Sequence, residues 1–384
     1  MKKIIFCILA GILIVGCDKA QNVNSVVETT ETNHITDEKK IENNESNSQD
    51  SKKEAAEEVL SFYNDMEKNH LILKDLLTGT VKKEIKLGKK DYVAGTYQLQ
   101  NGYCVNINES TREIHNQKVQ GVVISDTLDE DEINASYIIF YDKELNETDR
   151  IELKKAIPEK IWKIVLSSSS PTVSLGGNRI AWQAWNGSSY IICYNKESKK
   201  IEKYNQFSKN NISLSTIGFV GNDKIAFYGD KGITETDTCY GYLDLNSNKI
   251  TYFEEKNYDA FSLHTDERYM WLNDGEDPYS HTSSGKLVLL DTETGENRVI
   301  NLDGLESTQS RITKDGKNII AVKQDKEQSF RVRQYDVVTG NKISEKDYNM
   351  GGKVSDIVFT GNDNIYGIVV GTEDGETVEQ FNLK

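Results

Sequence analysis

The segment "NDGEDPYSHTSSG", Asn273 to Gly285, gathers Asp274, Glu276, Asp277, Tyr279 and His281 into one short stretch. Carboxylates beside an imidazole and a phenol are the groups that general acid–base chemistry or ligand binding uses. A solvated surface loop has the same composition, so both readings stand. A second acidic run, "DTLDEDE", holds Asp126, Asp129, Glu130, Asp131 and Glu132. It lacks the glycine and the terminal glutamate of an EF-hand loop, which favours a solvated charge run over a calcium site. In "AWQAWNGSSY" Trp182 and Trp185 are an odd number of residues apart, so a regular strand points them to opposite faces. With Trp182 packed inside, Trp185 lies near a loop, free to stack on a sugar or a peptide; packing inside the fold is the alternative for both. Cys104, Cys193 and Cys239 sit in apolar strands at scattered spacing, which gives neither a disulfide framework nor a metal pattern. No nucleophile elbow, zinc-protease motif, phosphate-binding loop or Cys-x-x-Cys occurs, so no catalytic residue, metal or cofactor is assigned.

These side chains need a scaffold, and a repeat specifies it. An aromatic residue or Leu followed by Asp or Asn recurs at Tyr141-Asp142, Tyr194-Asn195, Leu243-Asp244, Leu290-Asp291, Tyr335-Asp336 and Phe381-Asn382, with spacings of 53, 49, 47, 45 and 46. A second series, a polar turn followed by a strand, runs through Ile180, Ile225, Tyr269, Ile320 and Ile365. A third places a basic residue before a β-branched one at Arg150-Ile151, Lys200-Ile201, Lys249-Ile250, Arg298-Val299 and Lys342-Ile343. Three staggered series at one period imply a repeated four-stranded unit without intervening helices, which is a β-propeller blade. The count predicts an all-β, six-bladed propeller over residues 79–384. The sixth blade is one strand short, because Leu383 and Lys384 alone follow Asn382. "TVKKEIKLG", Thr80 to Gly88, has the character of an outer strand, which predicts that it completes the last blade and closes the ring. The repeated acids read as turn formers: Asp accepts a backbone N–H and Gly supplies the positive φ. The stretch from Thr313 to Val322, with its Asp315-Gly316 turn, resembles the TolB-type, WD-like propeller repeats, although their proline is missing. That resemblance implies strands, turns and a scaffold-like role, not a reaction.

The first residues bear on location. Met1, Lys2 and Lys3 precede an apolar run from Ile4 to Val15, long enough for a secretory signal and too short for a membrane span. Ile14-Val15-Gly16-Cys17 resembles the lipobox of bacterial lipoprotein precursors. The resemblance implies a signal peptide over 1–16, cleavage between Gly16 and Cys17, and diacylglycerol on the Cys17 thiol. Residues 17–52 are polar and lack aromatics, which predicts a disordered tether. Ala56, Val59, Leu60, Tyr63 and Met66 recur at helical spacing, which predicts one amphipathic helix over 53–78. The formal charge is -15, an acidic balance that argues against nucleic acid and against electrostatic docking on anionic lipid. Together these features predict a lipoprotein on the extracytoplasmic face of the cell membrane. Its propeller is expected to bind an envelope protein or glycan without catalysis, with Trp185, Asp274, Glu276, Asp277, Tyr279 and His281 as candidate contacts. A glycan hydrolase or lyase with carboxylates at the channel mouth, or a solute-binding module, is the alternative.

Overall fold

The computed structural model describes residues 59–119, 122–125, 128–168, 170–231, 237–256, 260–274, 285–302, 309–313, 315–326, 329–349, 352–359, 365–372 and 375–382. The chain is all-β. Six blades of antiparallel strands stand in a ring, the arrangement of a six-bladed β-propeller, one blade for each repeat in the sequence.

A short sheet comes first, made of β1 (Leu60–Asp65), β2 (His70–Asp75) and β3 (Val81–Lys86). The first blade contains β4 (Asp91–Leu99) and β5 (Gly102–Ser110), then an inserted ribbon of β6 (Asn116–Val119) and β7 (Val122–Ser125), then β8 (Ile133–Tyr141) and β9 (Glu147–Glu152). Two helical pieces, α1 (Leu153–Ala156) and α2 (Glu159–Leu166), lead into the second blade. That blade comprises β10 (Thr172–Val173), β11 (Arg179–Trp185), β12 (Ser189–Asn195) and β13 (Lys200–Tyr204), and the helical turn α3 (Gln206–Lys209) follows it. The third blade has β14 (Ile212–Val220), β15 (Lys224–Lys231), β16 (Asp237–Asp244) and β17 (Lys249–Lys256). The fourth has β18 (Ala260–Thr265), β19 (Tyr269–Asp274), β20 (Lys286–Asp291) and β21 (Asn297–Asn301). The fifth has β22 (Gln309–Ile312), β23 (Asn318–Lys326), β24 (Ser329–Asp336) and β25 (Lys342–Asn349), and the sixth β26 (Lys353–Phe359), β27 (Ile365–Thr372) and β28 (Gly375–Asn382).

Within each blade the strands pair in sequence order, except that the ribbon is looped out between β5 and β8. The middle strands carry the core. "SYIICYN" in β12 and "KLVLLD" in β20 are buried on both faces, because each blade is covered by a neighbour on either side. One interface unites Ile138 and Phe140 of the first blade with Ile180, Trp182 and Ile192 of the second, together with Trp162 and Val165 of α2.

The repeated acid does the turn work expected of it. Asp142 Oδ1 accepts the N–H groups of Glu144 and Asn146 at 3.0 and 2.8 Å, and Asp291 Oδ1 accepts those of Glu293 and Thr294 at 2.9 and 3.3 Å. Asn195, Asp244 and Asp336 make the matching bond to Ser198, Ser247 and Thr339. Four residues beyond the acid or amide the backbone turns left-handed at Lys199, Asn248, Gly295 and Gly340.

Two expectations are corrected. Within the range read as an amphipathic helix, residues 60–65 and 70–75 are the strands β1 and β2, joined by a turn in which Asn69 takes φ 57°; residues 53–58 lie outside the described residues. The helical spacing misled because Leu60 and Phe62 also alternate as a strand does, and tertiary packing decides between the two periods. Phe62 lies on Tyr103 with ring centroids 4.9 Å apart, while Leu71 and Leu73 are buried against Val105 and Ile139. The second correction concerns β3, which pairs with β2 and not with β28. Asp75 accepts the N–H of Leu77 at 3.1 Å and the hydroxyl of Thr78, and Gly79 takes φ 69°. That is the turn chemistry between the third and fourth strands of a blade, so β1–β3 are a further copy of the repeat without its innermost strand. The sheet packs on the first blade through Leu71 and Leu73 and on the sixth through Val59, Leu76 and Val369.

Candidate functional site

The face that carries the joins between second and third strands bears the inserted ribbon and the β11–β12 hairpin. At the first of these joins Arg112 Nε meets Glu132 Oε1 at 2.6 Å, and the Glu132 carbonyl accepts the N–H of Thr111 at 2.8 Å. Glu132 therefore braces the insertion. Asp126 lies outside the described residues, and no group of acids, histidines or cysteines among the described residues is placed to hold a metal ion.

Between the first and second blades on this face lies a cleft of about 270 Å³. Its floor is β5, whose Asn106 and Asn108 share one side of the strand. Asn106 is only 4% exposed, and its Nδ2 donates to Ser136 Oγ and to the Tyr137 carbonyl, both at 3.2 Å. The Asn108 side chain has no hydrogen-bond partner among the described residues. Tyr92 joins the lining, and Trp162 and Trp182, 5% and 2% exposed, border it from the core between the blades. The roof is α2. Pro158 fixes its start, Lys163 pairs with Glu159 at 3.2 Å, and Trp162 and Val165 are the residues it buries. The serine run ends it: Ser168 Oγ donates to the Ile164 carbonyl at 2.6 Å, and Ser170 Oγ donates to the Ala94 carbonyl at 2.9 Å. A bulge in β4 between Val93 and Gly95 releases that carbonyl from the ladder. Among the described residues the lining contains no carboxylate, imidazole, thiol, amine or guanidinium.

A larger cleft of about 520 Å³ separates β3 from the outer strands of the first blade and has the opposite character. Its apolar floor of Ile85, Ile107 and Ile139 is rimmed by Lys83, Asp91, Glu109, Glu147 and Arg150. Those charges satisfy one another or nearby polar groups: Arg150 grips Glu147 at 2.9 and 2.7 Å, and Lys83 donates to Asn146 at 2.8 Å.

Of the candidate contacts, Trp185 and Asp274 fall within the described residues. Trp185 stands at the end of β11, 63% exposed, while Trp182 is 2% exposed on the other face of that strand. Asp274 ends β19, two blades away. Glu276, Asp277, Tyr279 and His281 lie outside the described residues, as do Gly16 and Cys17. The thiols of Cys193 and Cys239 are pushed up to about 12 by burial, and burial raises that of Cys104 as well. They behave as core groups.

Polar ties stitch neighbouring blades below this face. Gln183 Nε2 donates to the Leu214 carbonyl at 2.6 Å, and Ser310 Oγ donates to Asn273 Oδ1 at 2.6 Å while accepting from Trp271 Nε1 at 3.1 Å. His264 stacks on Trp271 with centroids 5.4 Å apart, and its Nε2 lies 3.0 Å from Ser262 Oγ and 3.3 Å from Asn273 Nδ2. Burial, with help from the Arg311 charge, lowers its pKa to about 4.

Sequence reasoning missed Asn106, Asn108, Ser168 and Ser170, and weighed Trp162 without placing it. One signal was present: "YCVNINES" sets two amides two residues apart in an otherwise apolar strand, which puts both on one face.

No protein-family model matches this chain, and no curated protein matches it. Solved structures do. A chain of the crystal structure of the mitotic checkpoint complex aligns over 82% of each chain at 9% identity and TM-score 0.47. Hsv2 of Kluyveromyces lactis aligns over 76% of this chain and 74% of its own at 10% identity and TM-score 0.47. The β-propeller domain of the Trilobed protease from Pyrococcus furiosus aligns over 76% of this chain and 83% of its own at 12% identity and TM-score 0.45.

Proposed function

We propose that this chain is a lipid-anchored extracytoplasmic lipoprotein whose propeller binds an envelope partner in the cleft between its first two blades, without catalysing a reaction there. The observation that carries the binding reading is the concave cleft of about 270 Å³ itself, whose lining includes the side chains of Asn106 and Asn108 on one side of β5. A lining whose described residues include no acid or base supports binding over turnover. The TolB-type resemblance at Thr313 to Val322 accords with a scaffold role, and Met1-Lys2-Lys3, the apolar run and Gly16-Cys17 support the anchor. Attachment is tested by fractionating cells that express Cys17→Ser: the variant is expected in the soluble fraction or as an unprocessed precursor, without incorporated labelled fatty acid. Membrane retention with label still incorporated would refute the anchor.

A further inference from the structure

We infer that the cleft between the first two blades takes one uncharged, hydroxyl-rich ring, a pyranose unit of an envelope glycan. This rests on the binding reading of the same cleft and adds the class of its ligand.

The hydrogen-bonding polarity of the lining carries the inference. Ser168 and Ser170 have spent their hydroxyl protons on the carbonyls of Ile164 and Ala94, so what they offer the cleft is lone pairs. Asn106 has spent both Nδ2 protons on Ser136 and Tyr137 and likewise offers an acceptor. Asn108 adds a whole amide. The lining therefore offers acceptors together with a few donors, the Asn108 amide and the Tyr92 and Ser136 hydroxyls, and suits a ligand that donates several hydrogen bonds and also accepts. Phosphates and carboxylates bring none, and no cation among the described lining residues compensates them. An ammonium ligand brings donors but would bury its charge with no carboxylate among those residues, which is equally costly. Ring hydroxyls are neutral donors arrayed round a compact body. The apolar side of such a body suits the apolar part of the lining, to which Leu128, Ile133, Leu166 and Pro171 contribute. Size agrees: about 270 Å³ lies below the roughly 300–1,000 Å³ of sites for drug-sized ligands, which leaves room for one ring and excludes a long chain. A primary amide brings two donors, fewer than the four acceptors on offer.

The test follows the intrinsic fluorescence of the detergent-solubilised full-length protein during titration with methyl β-glucopyranoside, methyl α-mannopyranoside and N-acetylglucosamine. Glucuronate, glucose 6-phosphate and glycinamide serve as charged and amide controls. Two of the four tryptophans line the cleft, so occupancy is read directly. Saturable binding of at least one neutral pyranose is expected, with the charged analogues weaker by about tenfold or more, a difference of about 1.4 kcal/mol. Asn108→Leu should abolish that binding with an unchanged melting temperature, since its side chain holds nothing in the fold; Ser170→Leu is the second variant. Absence of saturation by every neutral pyranose, equal affinity for the charged analogues, or wild-type affinity in both variants would overturn the inference. A photo-crosslinking residue at position 170 in intact cells separates the two levels. Capture of a peptide there would leave the binding reading standing and sink the glycan, whereas no adduct together with no sugar binding would remove both.

Discussion

His264 shows what a single buried group does to the pH response. In the fold it stays neutral down to about pH 4, because burial and the Arg311 charge oppose its protonation, whereas in the unfolded chain it protonates near 6.5. The unfolded state thus binds more protons between those values, so acidification through this window favours unfolding. The expected loss between pH 7 and pH 4 is on the order of 2–3 kcal/mol, measured by denaturant unfolding at each pH, and His264→Gln should flatten that slope. Asp291 acts at lower pH. Its burial raises the pKa, but the Arg268 guanidinium and two backbone N–H groups prevail and hold it at about 2. Its contribution is complete above the ordinary carboxylate value and is lost as pH falls through 4 towards 2. Neither role was legible in the sequence, since His264 reads there as one polar residue in "AFSLHT". The environment that keeps it neutral joins Trp271 and Asn273 of the neighbouring strand to Ser310 and Arg311 of the next blade, a junction that no local pattern announces.

The outer hairpins are where sequence and structure agree most directly, because an Asx turn is local chemistry and needs no tertiary context. The same register exposes a weak position. Lys199 holds the left-handed conformation that Gly295 and Gly340 hold elsewhere, at φ 55°, and a residue with a Cβ pays about 1–2 kcal/mol for it. Lys199→Gly is expected to raise stability by up to about 1 kcal/mol after the glycine entropy cost, seen as a higher denaturation midpoint with an unchanged m-value. The reverse case is Gly102, where an added Cβ would fall 2.0 Å from the Tyr141 carbonyl oxygen. The missed copy of the repeat shows where local reading stops. "LILKDLLTG" around Asp75 parallels "LVLLDTETG" around Asp291, yet the insertion before β8 breaks the period between Asp75 and Asp142, and the weak apolar stripe over 56–66 fits two periodicities. The amides of the cleft were hidden for another reason: a polar residue in a strand becomes a site only when the next blade and α2 enclose it.

At the scale of the whole molecule, the six repeated blades followed from their spacing, and the manner of closure did not. The sheet β1–β3 meets the first blade through a buried cluster that includes Leu71, Leu73, Tyr103, Val105, Ile107 and Ile139, but meets the sixth through the buried trio Val59, Leu76 and Val369. No backbone ladder joins β3 to β28. Leu76→Ala therefore removes much of one joint and is expected to cost about 2–5 kcal/mol, read from denaturant unfolding, whereas an equal truncation at Val369 should cost less because fewer atoms are lost. Among the described residues the cluster that joins this sheet to the sixth blade is smaller than the one that joins it to the first, which makes it the preferred place to part. Amide exchange by mass spectrometry should then find β26–β28 opening before β11–β12 or β19–β20, with a free energy below that of global unfolding. Strain put on the propeller, by heat or by force, would part that seam first.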